Sequence, residues 1–175
     1  MGDALPNLKG RVVRLHPATP GELHSLASAL ARDTHASEWL GDDAGTIERW
    51  LFGDGVAAFV VSAADEPLGV ITFEEECDPD YRSANIDVGL LSHATGRGLG
   101  TDAVRTVAEW LYSERGHHRI TIDPAVENSR AIRAYEKVGF RPVGVMRQYE
   151  RGRDGVWHDS LLMDMLAGQM QDPRT

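Results

Sequence analysis

Asn85-Ile-Asp-Val-Gly-Leu-Leu91, then Ser92-His-Ala94, then Thr95-Gly-Arg-Gly-Leu-Gly-Thr101: this stretch decides the fold. Its first part is rich in apolar residues and reads as a strand. Beyond the glycines, Asp102 to Ser113 carries Ala103, Val104, Val107, Ala108 and Leu111 at helical spacing. A glycine loop between a strand end and a helix start is, physically, a phosphate cradle. Glycines let the backbone approach an anion closely, and the unpaired N–H groups of the first helical turn point at it. Taken alone, the loop reads equally as a tight turn.

On the N-terminal side, Arg11 to Leu15 reads as a first strand. Thr19-Pro-Gly-Glu22 is a capping pattern opening a helix to about Asp33, with Leu23, Leu26, Ala27 and Leu30 on one face. Ala44 to Leu51 is a second helical stretch, broken at Gly53-Asp-Gly55. Val56 to Ser62 and Leu68 to Glu75 form a hairpin across Ala63–Pro67. On the C-terminal side come a strand at His118–Asp123 and a helix from Asn128 to Val138 capped by Gly139. A last strand pair follows, Phe140–Arg147 and Val156–Met165, turning at Arg151–Gly155, and then a polar tail from Gln169 to Thr175. No repeat, linker or low-complexity segment interrupts the chain. The expectation is one mixed α/β (α+β) domain over residues 1–175, with its core at about 11–166.

Hydrophobic residues make up 42% and charged residues 26% of the chain, the balance of a soluble globular protein. No apolar run reaches the length of a membrane span, and Met1-Gly-Asp-Ala-Leu-Pro6 lacks the basic start and apolar core of a signal peptide. With the single Cys77 unable to form an internal disulfide, this gives the expectation of a cytoplasmic protein without a membrane partner. The net charge of −9 argues against nucleic acid and favours a cationic small molecule, or simply solubility. Cys77 lies between Glu76 and Asp78, with no neighbouring cation to activate it, so it is not read as a nucleophile. The histidines show no ligand spacing, and no metal is expected.

Asp123-Pro-Ala-Val-Glu-Asn128-Ser-Arg-Ala-Ile-Arg-Ala-Tyr135-Glu-Lys-Val-Gly139-Phe140 settles the reading of the glycine loop. It resembles the motif of the GCN5-related N-acetyltransferases, and the glycine loop resembles their acetyl-CoA diphosphate site. Both occur in the family's order and context, and the likeness covers about Arg11 to Leu166. The resemblance implies a twisted mixed sheet of about seven strands, flanked by helices, with a splayed strand pair holding acetyl-CoA. It assigns the pantetheine arm and thioester carbonyl to backbone groups at Leu90 and Leu91. It assigns the diphosphate to Thr95, Gly96, Arg97, Gly98, Leu99, Gly100 and Thr101, and further cofactor contacts to Asn128 and Lys137. One departure is Thr95, which stands where the family carries Arg or Gln; the backbone cradle is unaffected.

Direct acetyl transfer to an amine requires a neutral nucleophile, donors for an oxyanion, and a proton for the departing thiolate. Tyr135 stands where the family places its thiolate acid; the plainer reading is a core tyrosine. Asp87 is the candidate base. Alternation places it with Gly89 and Leu91 on one strand face, and its plainer reading is a structural carboxylate.

Within the family, the likeness is greatest to aminoglycoside 6'-N-acetyltransferases. Glu74-Glu-Glu-Cys-Asp-Pro79 resembles their acidic substrate loop, and Ile86-Asp87 their active-site aspartate. The implied substrate-binding acids are Glu74, Glu75, Asp87 and Asp123, with Asp154 on a hairpin whose length differs. The glutamate run alone reads as a solvated strand end. The C-terminal stretches Val145–Glu150 and Trp157–Met163 also resemble acetyltransferases of the ribosomal-protein N-terminal type. That leaves peptide, polyamine, metabolite and siderophore amines as alternative acceptors, and a non-catalytic acyl-CoA sensor as an alternative of another class. The chain is expected as a monomer or homodimer.

Overall fold

Strand β3 (Ala57–Ala63) is buried along nearly its whole length, and its two faces serve different cores. Phe59 and Val61 pack with helix α4 (Leu99–Ser113), while Ala58 and Val60 pack with helices α1 (Pro20–Arg32) and α3 (Ala44–Leu51). A strand covered on both faces must be apolar at successive positions, and Ala57-Ala-Phe-Val-Val61 is. The computed structural model describes residues 4–171 of the chain; the end of the expected polar tail lies outside the described residues.

The sheet has eight strands in the order β1-β2-β3-β4-β5-β6-β8-β7. The further elements are β1 (Leu8–Lys9), β2 (Arg14–Pro17), α2 (Ala36–Leu40), β4 (Glu66–Glu76), β5 (Ser83–Leu90), β6 (Arg119–Ile122), α5 (Ser129–Glu136), β7 (Arg141–Arg151) and β8 (Trp157–Leu166). The extra strand is the short β1. The first long strand also starts later than its sequence suggests. The buried Asp102 carboxylate accepts the N–H groups of Val12 (2.8 Å) and Val13 (3.1 Å), removing them from the ladder.

The capping box at Thr19 and Glu22 forms as expected. At the end of α5, Gly139 holds φ +128°, and a Cβ there would stand 2.6 Å from the Gln169 carbonyl oxygen, so only glycine closes that turn. Neighbouring strands are antiparallel except β5 and β6, which run parallel and pair only at Ala84–Ile120 and Asn85–Thr121. Past Asn85 the two strands part. That gap, bounded by α4 and α5 on one side and α2 on the other, is where the chemistry-bearing residues collect.

Candidate active site

Leu91 donates its N–H to the Leu68 carbonyl at 2.9 Å, which fixes the phase of the β4–β5 ladder. In an antiparallel ladder alternate residues bond to the same neighbour. Gly89 and Leu91 therefore bond towards β4, while the backbone groups of Val88 and Leu90 are directed into the gap left by β6. Of the two leucines singled out in the sequence, Leu90 presents backbone to the gap and Leu91 has its N–H already engaged. The Val88 N–H is taken by the neighbouring Asp87 carboxylate at 2.8 Å.

The glycine loop forms one end of a cleft of about 300 Å³. Gly96 and Gly98 hold φ values of +74° and +77°, and a Cβ at either would meet nothing within 4 Å. The first bond of α4 is Asp102 N–H to Gly98 O at 3.0 Å, so the N–H groups of Leu99, Gly100 and Thr101 open the helix without intrahelical partners. These groups, with Arg130, Arg133 and Lys137 on the opposite wall, suit a diphosphate. None of those three cations makes an ion pair among the described residues. Leu90, Thr95, Gly96, Gly98, Gly100, Thr101, Asn128 and Lys137 all line this cleft. Arg97 is exposed outside it, and the Leu99 side chain is buried in the core. Asn128 also caps α5, its side chain accepting from Ala131 N–H at 3.1 Å.

A second cleft, of about 110 Å³, adjoins the first and shares with it Trp39, Leu40, Val88, Asn128, Ala131 and Tyr135. Its distinctive groups are acids: Asp87 on β5, Asp123 just past β6, and Glu150 on β7. Burial, then the charges of Asp123, Glu150 and Glu74, push Asp87 up to about 7 against the bond from Val88. Burial and the charges of Glu150 and Glu74 push Asp123 up to about 6, partly offset by the Tyr149 hydroxyl. Glu150 is raised as well, chiefly by burial. Burial raises the Tyr135 phenol, followed by the Asp87 and Asp123 charges, so it stays protonated across the neutral range.

Helix α2 supplies the remaining wall and had no clear sequence signal. It is one short turn, and Asp33 holds it. The Asp33 carboxylate accepts from His35 N–H (3.1 Å) and Ala36 N–H (2.9 Å), and from Ser92 N–H (2.9 Å) and its hydroxyl (2.7 Å). Burial alone would raise Asp33, but these bonds hold it down to about 2. This staple fixes Trp39 beside the end of β5. The Trp39 indole nitrogen is buried with no protein partner among the described residues.

Three acids singled out in the sequence line neither cleft: Glu74, which lies close to the acid cluster, and Glu75 and Asp154, which are engaged elsewhere. Along β4, Glu74 pairs with Asn85, two residues from Asp87 and on its face, whereas Glu75 shares the face of Phe73 and Ile86. Glu75 is bound by Arg115 at 2.8 and 3.2 Å and by the fully buried His117 at 2.8 Å. Asp154 sits in the β7–β8 turn, where it accepts from Val156 N–H (3.0 Å) and contacts His158 (3.1 Å). Sequence reasoning missed Glu150 and Tyr149, which reach the acid cluster through a bulge in β7.

A family model for the acetyltransferase (GNAT) domain matches residues 13–141. The aminoglycoside N(6')-acetyltransferase type 1 of Klebsiella pneumoniae is 32% identical over 157 residues, covering 77% of this chain and 76% of the relative. A crystal structure of aminoglycoside acetyltransferase AAC(6')-Ib with coenzyme A and kanamycin superposes with a TM-score of 0.72 at 26% identity, covering 93% of this chain and 99% of that one. RimJ of Mycobacterium smegmatis, solved with CoA-disulfide, has a TM-score of 0.79 at 23% identity over 97% of this chain and 90% of its own, a likeness of fold. No helix among the described residues is long and apolar enough to cross a membrane.

Proposed function

The chain belongs to the GNAT acetyltransferase family, and from that premise we propose that it transfers the acetyl group of acetyl-CoA directly to a primary amine of a small polycationic acceptor, an aminoglycoside in the first instance. The observation that carries the acceptor class is the second cleft, where Asp87, Asp123 and Glu150 converge with Glu74 close enough to perturb two of them. Acids pressed together at this density repel one another, and a ligand with several ammonium groups relieves that cost. The relative from Klebsiella pneumoniae supports the same acceptor.

In this reading the larger cleft holds the donor, with its diphosphate at the glycine loop and Arg130, Arg133 and Lys137 alongside. The Leu90 backbone meets the pantetheine arm and the thioester carbonyl. Asp87 takes the proton of the acceptor ammonium, which leaves nitrogen with a free electron pair to attack the carbonyl carbon. As the carbon–sulfur bond breaks, Tyr135, which lines both clefts, gives its proton to sulfur. The second proton lost by the attacking nitrogen restores the phenol as the amide forms, while the proton held by Asp87 passes to solvent. Trp39 supplies an indole N–H that a ligand in either cleft would satisfy.

Thiol release from acetyl-CoA, measured against aminoglycosides, polyamines and peptides with free N-termini, tests the proposal. Turnover of aminoglycosides with product acetylated on one amine supports it. Turnover confined to peptides overturns the acceptor while leaving the donor reading intact.

A further inference from the structure

Glu150 and Tyr149 enter the acid cluster because strand β7 does not run straight. Its pairing with β8 is regular through Val145–Leu161 and Met146–Ser160 and resumes at Glu150–His158. Between those points Arg147, Gln148 and Tyr149 stand opposite the single residue Asp159. Gln148 holds φ +51°, a left-handed conformation that costs a residue with a Cβ about 1–2 kcal/mol. In continuous register Glu150 would face Val156 instead of His158, displaced two residues, about 7 Å, along the sheet. The bulge is therefore what delivers Glu150 to the second cleft.

One residue holds both parts of that cleft's outer wall. The Asp159 carboxylate accepts the Gln148 N–H at 2.7 Å, the donor that the bulge leaves without a ladder partner. Its carbonyl accepts the Val126 N–H at 3.0 Å, and the neighbouring Leu161 N–H reaches the Pro124 carbonyl at 2.8 Å. An isolated antiparallel bridge, Ala125 to Ser160, completes this attachment of the Asp123 loop to β8. Tyr149, at the end of the bulge, lies with its hydroxyl on Asp123. Asp159 itself does not line either cleft.

We propose that Asp159 is a positioning residue for the acceptor: its side chain fixes the β7 bulge that presents Tyr149 and Glu150, and its backbone fixes the loop that presents Asp123. The inference rests on the acceptor reading above for its kinetic consequence, and on the hydrogen bonds alone for its structural one. Only the N–H acceptor is needed at position 159, and an amide oxygen supplies it. Asp159→Asn is therefore benign and Asp159→Ala is not.

Two measurements on the full chain decide it. In steady-state kinetics, Asp159→Ala raises the acceptor KM about tenfold, the scale of one hydrogen bond to a charged group, and leaves the acetyl-CoA KM unchanged. Asp159→Asn returns the acceptor KM to near the parent value, and Asp159→Leu, which keeps the shape of the side chain and removes the acceptor, reproduces the Ala result. Donor and acceptor KM rising together, or no rescue by Asn, overturns the proposal. In amide hydrogen exchange, residues 146–151 lose protection in Asp159→Ala while residues 95–101 keep it. Unchanged protection at 146–151 overturns the proposal even where no acceptor is turned over, an outcome that would by itself count only against the acceptor reading. An Ala variant that fails to fold leaves the same comparison to Asp159→Asn and Asp159→Leu, where parent-like kinetics in both overturns the proposal and a defect in the Leu variant alone supports it.

Discussion

The Asp87 carboxylate accepts the N–H of its own neighbour Val88 at 2.8 Å, on the reach of β5 that β6 has left. The bond favours the charged form, but burial and the nearby Asp123, Glu150 and Glu74 outweigh it and raise Asp87 to about 7. A carboxylate poised there exchanges a proton near neutrality, as a general base requires. The kcat/KM for the acceptor should then rise tenfold per pH unit below about 7 and level off above it. Asp87→Asn should lower kcat by about 10²–10⁴-fold while acetyl-CoA affinity, read by calorimetry, stays at the parent value. Loss of acetyl-CoA binding together with activity would make Asp87 a structural carboxylate.

The same acids set a pH dependence of stability with an unusual sign. Asp87 and Asp123 are raised in the folded state, to about 7 and about 6, from the ordinary value of 3.8. Between about pH 4 and pH 7 the folded chain therefore binds more protons than the unfolded one, and stability falls as pH rises through that window. His158, raised by Asp154, contributes in the same direction, its share being lost as pH rises past its folded value. Asp33, held down to about 2, acts oppositely, but only below about pH 4. The melting temperature should thus be higher at pH 5 than at pH 7.5. Asp87→Asn should flatten the difference, and a saturating polyamine should reduce it, because bound ammonium groups favour the charged acids. A Tm that climbs from pH 5 to 7.5 in the parent protein would contradict the assignment.

Tyr135 faces both clefts, and its burial beside two acids keeps the phenol protonated at neutral pH. Tyr135→Phe keeps the ring that packs edge-on to Phe140 at 6.2 Å between centroids and removes only the proton. It should lower kcat by about 10²-fold with little change in the KM for acetyl-CoA. An acceptor assay against a donor with a more acidic leaving thiol separates the roles, since a better leaving group needs no acid and should recover much of the lost rate. Unchanged kcat at saturating substrates would assign Tyr135 to the core alone.

What was legible in the sequence was local. The glycine loop, the Thr19 capping box and the Asn128–Phe140 stretch are each written in consecutive residues, and each forms where the chain places it. Alternation along Asn85–Leu91 also placed Asp87 on the face opposite Ile86, which is buried in the core. What was not legible depends on partners distant in sequence. Helix α2 and its Trp39 stand where they do because Asp33 bonds to Ser92, 59 residues away. Val12 and Val13 leave the first strand because Asp102 takes their N–H groups. Glu150 arrives through a bulge whose partner, Asp159, lies across a hairpin. The acidic run at Glu74–Glu76 is a different case: the period-2 rule that sorted β5 also sorts β4, and it divides Glu74 from Glu75.

That division gives a pair of substitutions with opposite consequences. Glu74 is exposed and faces the acid cluster, so Glu74→Gln should weaken acceptor binding through long-range attraction alone. The acceptor KM should rise about two- to fivefold at low ionic strength and converge on the parent value at high salt, where exposed charges are screened. Glu75 lies on the other face, where burial would raise it but the bonds from Arg115 and His117 hold it low. Glu75→Gln leaves the fully buried His117 without its carboxylate and weakens the tie to Arg115. Stability should fall by about 1–3 kcal/mol, a drop in Tm of several degrees, with acceptor KM unchanged at temperatures where the variant is folded. Thermal melts and acceptor titrations on the two variants, run side by side, check both halves. An acceptor defect in Glu75→Gln without a loss of Tm would return Glu75 to the substrate site.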